Sequence, residues 1–157
     1  MHHLLPRSSA TRDLTRLPPG VEVHSTETVT EKKSTFQGHA VRVRSVEEAV
    51  EALQHVLAVK KVGKASHNIL AYRLSSSSGK TEQGSDCNSE PPAGKNLLAL
   101  LEKLDVEDVL LVVTRWYGGT PMGGQRFQVI NTVGKMALEQ GGFVKREEKR
   151  EKKGKRR

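Results

Sequence analysis

Two short stretches of this 157-residue chain gather the side chains best suited to chemistry. One is 64–73, Lys-Ala-Ser-His-Asn-Ile-Leu-Ala-Tyr-Arg. The other is 114–119, Thr-Arg-Trp-Tyr-Gly-Gly, followed by Gly123-Gly124-Gln125-Arg126-Phe127. Arg115 and Arg126 are of the type that grips phosphate or carboxylate through two parallel N–H bonds. Trp116 and Tyr117 are two of only six aromatic residues, and such rings stack on nucleobases. Gly118 and Gly119 would let the backbone approach a ligand closely. His67, Asn68 and Arg73 supply further polar contacts. A plainer reading is that the two aromatics cap the core while the glycines only turn the chain. The residue types leave these two readings level.

Other chemistry fits less well. Gly79-Lys80-Thr81 ends like a phosphate loop, but Leu74 stands where its first glycine belongs. Gly119 and Gly124 have the right separation, yet Gln125-Arg126 follows in place of Lys-Ser or Lys-Thr. His67, Asp86, Cys87 and Glu90 lack the spacing of zinc ligands, so no metal and no cofactor are expected. Cys87 with His67 or His39 would need a geometry that spacing cannot supply, and a carboxylate pair of Asp86 and Glu90 has no more support.

The elements that must position these residues follow from periodicity. Alternation predicts a strand over 36–44, with Val41 and Val43 on one face. Ser45-Val46-Glu47-Glu48 reads as a capping box, and Val46, Ala49, Val50, Leu53, Val56 and Leu57 continue at helical spacing, predicting a helix over 46–59. A second strand is expected over 67–74, then a serine-rich loop at 75–79. Pro91-Pro92 opens a helix that presents Leu97, Leu98, Leu101 and Leu104. The apolar run 109–113 reads as a central strand buried on both faces. A last helix over 125–140 turns Phe127, Ile130, Val133 and Ala137 inward and stops at Gly141-Gly142. Trp116 and Tyr117 then follow the carboxyl end of the central strand, where open α/β sheets build sites. The order implies an α+β domain, two-layer, with a small mixed sheet packed against about three helices.

Charge is uneven. The net charge is +8, from 26 basic and 18 acidic residues, and a pI near 9.8 suggests an acidic partner. Residues 145–157 hold nine of the basic and three of the acidic residues, so that segment alone carries +6. The expected organisation is a disordered leader at 1–20, a folded body at 21–143 and a basic tail at 144–157. The tail would give RNA affinity that weakens with salt. The leader, with arginines, serines and one acid, weakly resembles an organelle transit peptide, which makes mitochondria the alternative to a cytoplasmic location. No apolar run is long enough for a membrane span, and one cysteine cannot form an internal disulfide.

Taken together, Lys33-Ser34-Thr35-Phe36 with Gly38-His39-Ala40, the 64–73 stretch, Ala93-Gly94, Leu97-Leu98, Leu100-Leu101, Arg115-Trp116-Tyr117-Gly118-Gly119 and Arg126-Phe127 resemble the Impact family over about 31–139. The resemblance implies a fold like the second domain of ribosomal protein five, and a binding domain without enzyme activity. It also implies a role in translation, with the ribosome or RNA as partner. The alternative it offers is a protein–protein regulator of the amino-acid-starvation kinase pathway that acts through the kinase activator. In eukaryotic members an RWD domain adds to kinase control; with about 30 residues before the match, no such domain is expected here. One turn departs from the pattern. The family has Asp-Asp-Gly-Glu where this chain has Cys87-Asn88-Ser89-Glu90, so a different turn is expected, with Asp86 and Glu90 as its acidic contacts. Met122-Gly123-Gly124 likewise replaces the family's Leu-Gly-Pro.

Overall fold

The computed structural model describes residues 21–76 and 78–145. Six strands and four helices follow in the order β1 (Val23–Ser25), β2 (Val29–Glu31), β3 (Ser34–Arg42), α1 (Val46–Ala58), α2 (Lys60–Gly63), β4 (His67–Ser75), β5 (Thr81–Asp86), α3 (Ala93–Lys103), β6 (Val109–Trp116) and α4 (Gln125–Gln140). The proposed leader, and the tail beyond residue 145, lie outside the described residues.

The sheet runs β1-β3-β6-β4-β5, with β2 also paired to β3. β6 is central, as its unbroken apolar run requires: Val109 to Val113 are fully buried. Side-chain alternation splits the core. Ile69, Ala71, Leu111 and Val113 pack under α3 and α4. Leu70, Tyr72, Leu110 and Val112 pack with Val41 and Val43 under α1. Burying each such Leu or Ile contributes about 1.5–3 kcal/mol. Gly38 on β3 lets α4 come close, since a Cβ there would sit 2.8 Å from the Val133 carbonyl oxygen.

The α+β class holds, with two differences in detail. Every strand pair is antiparallel, where a mixed sheet was expected. The two-layer arrangement describes the α3/α4 side; α1 also covers the opposite face. The helix over 125–140 falls where periodicity places it. Ser45 caps α1 by accepting from the Glu48 amide at 3.1 Å, and Glu48 reaches back to the Arg44 amide at 2.9 Å, one residue beyond the usual box. β1, β2, α2 and β5 are additional to the sequence reading. β5 (Thr-Glu-Gln-Gly-Ser-Asp) has no apolar residue and is held at the sheet edge by its pairing with β4.

Candidate functional site

Three strand ends meet at one end of the sheet. Arg115 near the close of β6 lies opposite Phe36 at the start of β3 and opposite His67 at the start of β4. An antiparallel sheet has no common carboxyl edge, so the rule for open α/β sheets does not place this site. The starts of two strands and the end of a third build it instead.

At its centre is Glu90, 5% exposed, in the 87–90 turn. Its Oε2 accepts from Arg115 Nη1 at 2.5 Å, and its two oxygens lie 3.1 and 3.2 Å from Arg126 Nε. Burial pushes the Glu90 carboxyl up, but the bonds from Arg115 and Arg126 and the nearby His67 more than offset this, holding it below the usual carboxylate range. His67 donates its Nδ1–H to the Asn88 carbonyl at 2.9 Å, while its Nε2 lies 3.9 Å from Glu90. Arg115 Nη2 also donates to Ser34 Oγ at 3.2 Å. A cleft of about 310 Å³ opens here, with His67, Tyr117, Met122, Gly123 and Arg126 in its walls.

The 87–90 turn contains two residues with positive φ. Asn88 has φ +45° and Ser89 has φ +70°, both left-handed. Asn tolerates that region and Ser does not readily. Ser89 therefore holds a backbone conformation that glycine adopts more readily. Asp86 accepts from the Asn88 amide at 2.9 Å.

The sequence-predicted residues separate into groups. Arg115 is 4% exposed and committed to Glu90, so the anion grip expected of it is taken by a carboxylate inside the protein. Glu90 is likewise internal, not a surface acidic contact. Trp116 faces α2, donating its indole N–H to the Lys61 carbonyl at 3.0 Å, with the Lys61 ammonium 5.6 Å from the ring. Tyr117, 49% exposed, presents its ring to solvent, while its amide donates to Ser66 Oγ at 2.8 Å. Gly118 touches the β2–β3 turn, where a Cβ would collide with the Lys33 carbonyl. Gly119 has φ +93° and open space around it. Arg126 is partly exposed and also donates from Nη1 to the Gly123 carbonyl.

Asn68 and Arg73 do not join this group. Asn68 is on the opposite face from His67, where it accepts from Thr114 Oγ1 at 2.6 Å and donates to the Val62 carbonyl at 3.0 Å. Because Thr114 spends its hydroxyl proton on Asn68, His39 Nε2–H donates to Thr114 at 3.1 Å. Ser25 then donates to His39 Nδ1 at 2.8 Å. Burial holds His39 at a pKa of about 4, hence neutral near pH 7. Arg73 is at the far end of β4, about 20 Å away at strand rise. It binds Gln83 Oε1 and the Val106 carbonyl and faces Asp105 and Glu107.

Sequence reasoning missed Lys61 and Ser66, which hold Trp116 and Tyr117, and the role of Lys33 beneath Gly118. The Lys33-Ser34-Thr35-Phe36 motif and the 64–73 stretch carried a signal for Lys33 and Ser66 through the family resemblance; nothing marked Lys61.

The Impact N-terminal domain profile matches residues 32–138. The chain is 41% identical over 120 residues to the Protein IMPACT homolog of Schizosaccharomyces pombe, covering 76% of this chain and 43% of that protein. It is 38% identical over 117 residues to Protein IMPACT of Rattus norvegicus, covering 74% of this chain and 37% of that protein. It thus spans less than half the length of these curated relatives. The solved structure of the two-domain translational regulator Yih1 aligns with a TM-score of 0.56 at 31% identity, over 87% of this chain and 54% of that one. A crystal structure of a hypothetical protein aligns with a TM-score of 0.66 at 27% identity, over 79% and 59%. With the profile covering residues 32–138 and a curated relative 41% identical over 120 residues, this chain belongs to the Impact N-terminal domain family.

Proposed function

We propose that this chain is a non-enzymatic regulator of translation that docks on the ribosome, contacting RNA through the end of the sheet that presents Tyr117. The observation that carries this reading is the mounting of Tyr117. Its ring is exposed, but its backbone is fixed by Ser66 and by the Gly118 contact with Lys33. Two exposed lysines adjoin its neighbours: Lys33 on the β2–β3 turn meets Gly118, and Lys61 on α2 meets Trp116. An aromatic ring on a rigid seat, fringed by cations, suits stacking on an unpaired base with phosphates alongside. The likeness to a two-domain translational regulator favours translation as the setting. The cytoplasm is its expected location.

Sedimentation on ribosome gradients tests this. The protein should travel with ribosomal fractions at low salt and leave them at high salt, because phosphate contacts release counterions. Tyr117→Ala should weaken that association without unfolding the protein. Absence from ribosomal fractions at low salt refutes the ribosome reading. Retention of a protein partner after complete nuclease digestion, lost on Tyr117→Ala, would favour the kinase-activator reading instead.

A further inference from the structure

Two lysines close the β2–β3 hairpin. Glu31 and Ser34 form its last pair, so Lys32 and Lys33 alone make the turn. Their φ values are +46° and +71°, both left-handed. Two-residue hairpin turns of this kind favour Asn-Gly, because a longer side chain's Cβ crowds the backbone there. Lysine at both places therefore carries strain that Asn-Gly would relieve. Both side chains are exposed, and neither ammonium pairs with a carboxylate among the described residues. Strain without a compensating bond is characteristic of functional segments.

A second observation fixes where these lysines stand. Thr35 pairs with Trp116, so the hairpin projects from the end of the sheet that carries Tyr117. A Cβ on Gly118 would lie 2.9 Å from the Lys33 Cβ, so the Lys33 side chain starts beside the residue that follows Tyr117. One buried guanidinium supports both parts. Arg115 donates from Nη2 to Ser34 Oγ at the foot of the hairpin, and its Cζ lies 5.4 Å from the centre of the Tyr117 ring. Ring and turn therefore share a support and keep a fixed spacing.

We propose that Lys32 and Lys33 hold the phosphates of a single-stranded RNA whose base stacks on Tyr117. This rests on the reading of Tyr117 as an RNA contact, and it names the form of RNA that the site takes. A splayed base and the phosphates beside it match a fixed ring next to fixed lysine stems. A duplex keeps its bases stacked inside and offers none to the ring. A turn already held in place loses little freedom on binding. Asn-Gly would make the same turn without either ammonium, so the lysines trade folding stability for charge at this spot.

Fluorescence anisotropy of the full chain with labelled oligouridylate tests this, beside melting of the same samples. The double variant Lys32→Asn, Lys33→Gly keeps the turn and its backbone contact with Gly118. It should melt higher than the parent, the left-handed crowding being relieved. It should also bind oligouridylate about tenfold more weakly. The log–log dependence of affinity on salt should become shallower by about 1.4, since two single-strand phosphate contacts go at about 0.7 each. Binding to the duplex of oligouridylate with oligoadenylate should not change. Lys80→Asn, at the opposite end of the sheet where Ser75 pairs with Thr81, should leave affinity and salt dependence as in the parent. Unchanged oligouridylate affinity or salt dependence in the double variant, an equal loss on the duplex, or an equal loss in Lys80→Asn overturns the proposal. A lower melting midpoint overturns it too, because strain in the turn is its premise. Ribosome association lost in Tyr117→Ala, with the double variant unimpaired throughout, would sink this proposal and leave the docking reading standing. No ribosome association in the parent, with oligouridylate binding weakened as expected in the double variant, would do the reverse.

Discussion

Arg115 and Glu90 form a buried ion pair 2.5 Å long, and this pair ties the end of the central strand to the 87–90 turn. Glu90 also holds Arg126 on α4, so one carboxylate joins β6, the turn and the last helix. Removing it strands two guanidinium groups. Glu90→Ala should cost about 3–5 kcal/mol, because a buried charge left alone keeps its desolvation penalty. Arg126→Gln, whose side chain is partly exposed, should cost only about 1 kcal/mol. Urea unfolding curves of the two variants check the difference. Equal losses would mean that Glu90 is not the hub.

The His39 relay makes stability depend on pH. The unfolded chain protonates this imidazole near pH 6.5, the folded chain only near 4. Protonation therefore favours unfolding across that interval. The contribution is complete above pH 6.5 and is lost as the pH falls toward 4, by up to about 3 kcal/mol. Glu90, whose carboxyl is held below its ordinary 4.5, adds its own loss only as the pH falls further. Urea midpoints taken between pH 7.5 and 4.5 should decline for the parent chain. They should stay nearly flat for His39→Gln, although that variant is less stable at neutral pH.

Ser89 carries strain that glycine would not. At φ +70° it has no side-chain bond among the described residues to offset the crowding of its Cβ. Ser89→Gly should raise stability by about 0.5–1 kcal/mol, the left-handed penalty relieved less the entropy glycine adds to the unfolded chain. Thermal melting reads this directly. A lower midpoint would show that the serine has a partner that outweighs the strain.

Arg73 and Tyr117 should part company in a binding assay. Arg73 ties β4 to the 105–107 loop and to β5, so Arg73→Met should lower stability by about 1–3 kcal/mol. Its ribosome association at a temperature where it is folded should equal that of the parent. Tyr117→Ala should do the reverse, since an exposed ring contributes little to folding. Co-sedimentation and melting on the same samples decide it.

Gly118→Ala should act on both properties. Its Cβ would meet the Lys33 carbonyl, which is backbone and cannot swing aside. The 116–118 segment and the β2–β3 turn must then separate. We expect a loss of about 1–3 kcal/mol together with weaker ribosome association. Gly119→Ala has open space around it and only its φ of +93° against it, so it should leave the Lys33 contact intact.

The sequence by itself determined the long elements and the family. β3, α1, β4, α3, β6 and α4 each bury a continuous apolar pattern, and that pattern is local, so it can be read residue by residue. The motifs at 64–73 and 114–127 were legible for a different reason: they hold the chain's one Trp and both its Tyr, close to Arg, His and Gly. The rest was not local. β5 has no apolar residue and exists because β4 supplies a partner for its backbone. β1 and β2 are three residues each, too short to show a period. Tertiary structure also reassigned the motif residues. Alternation along β4 and β6 sends His67 and Arg115 to one face and Asn68 and Thr114 to the other, while strand length carries Arg73 away. Arg115, which by type alone suits an outside anion, finds Glu90 only when residues 25 positions apart are brought together. An arginine's chemistry belongs to its side chain, but its partner is set by which chain segments the fold brings into contact.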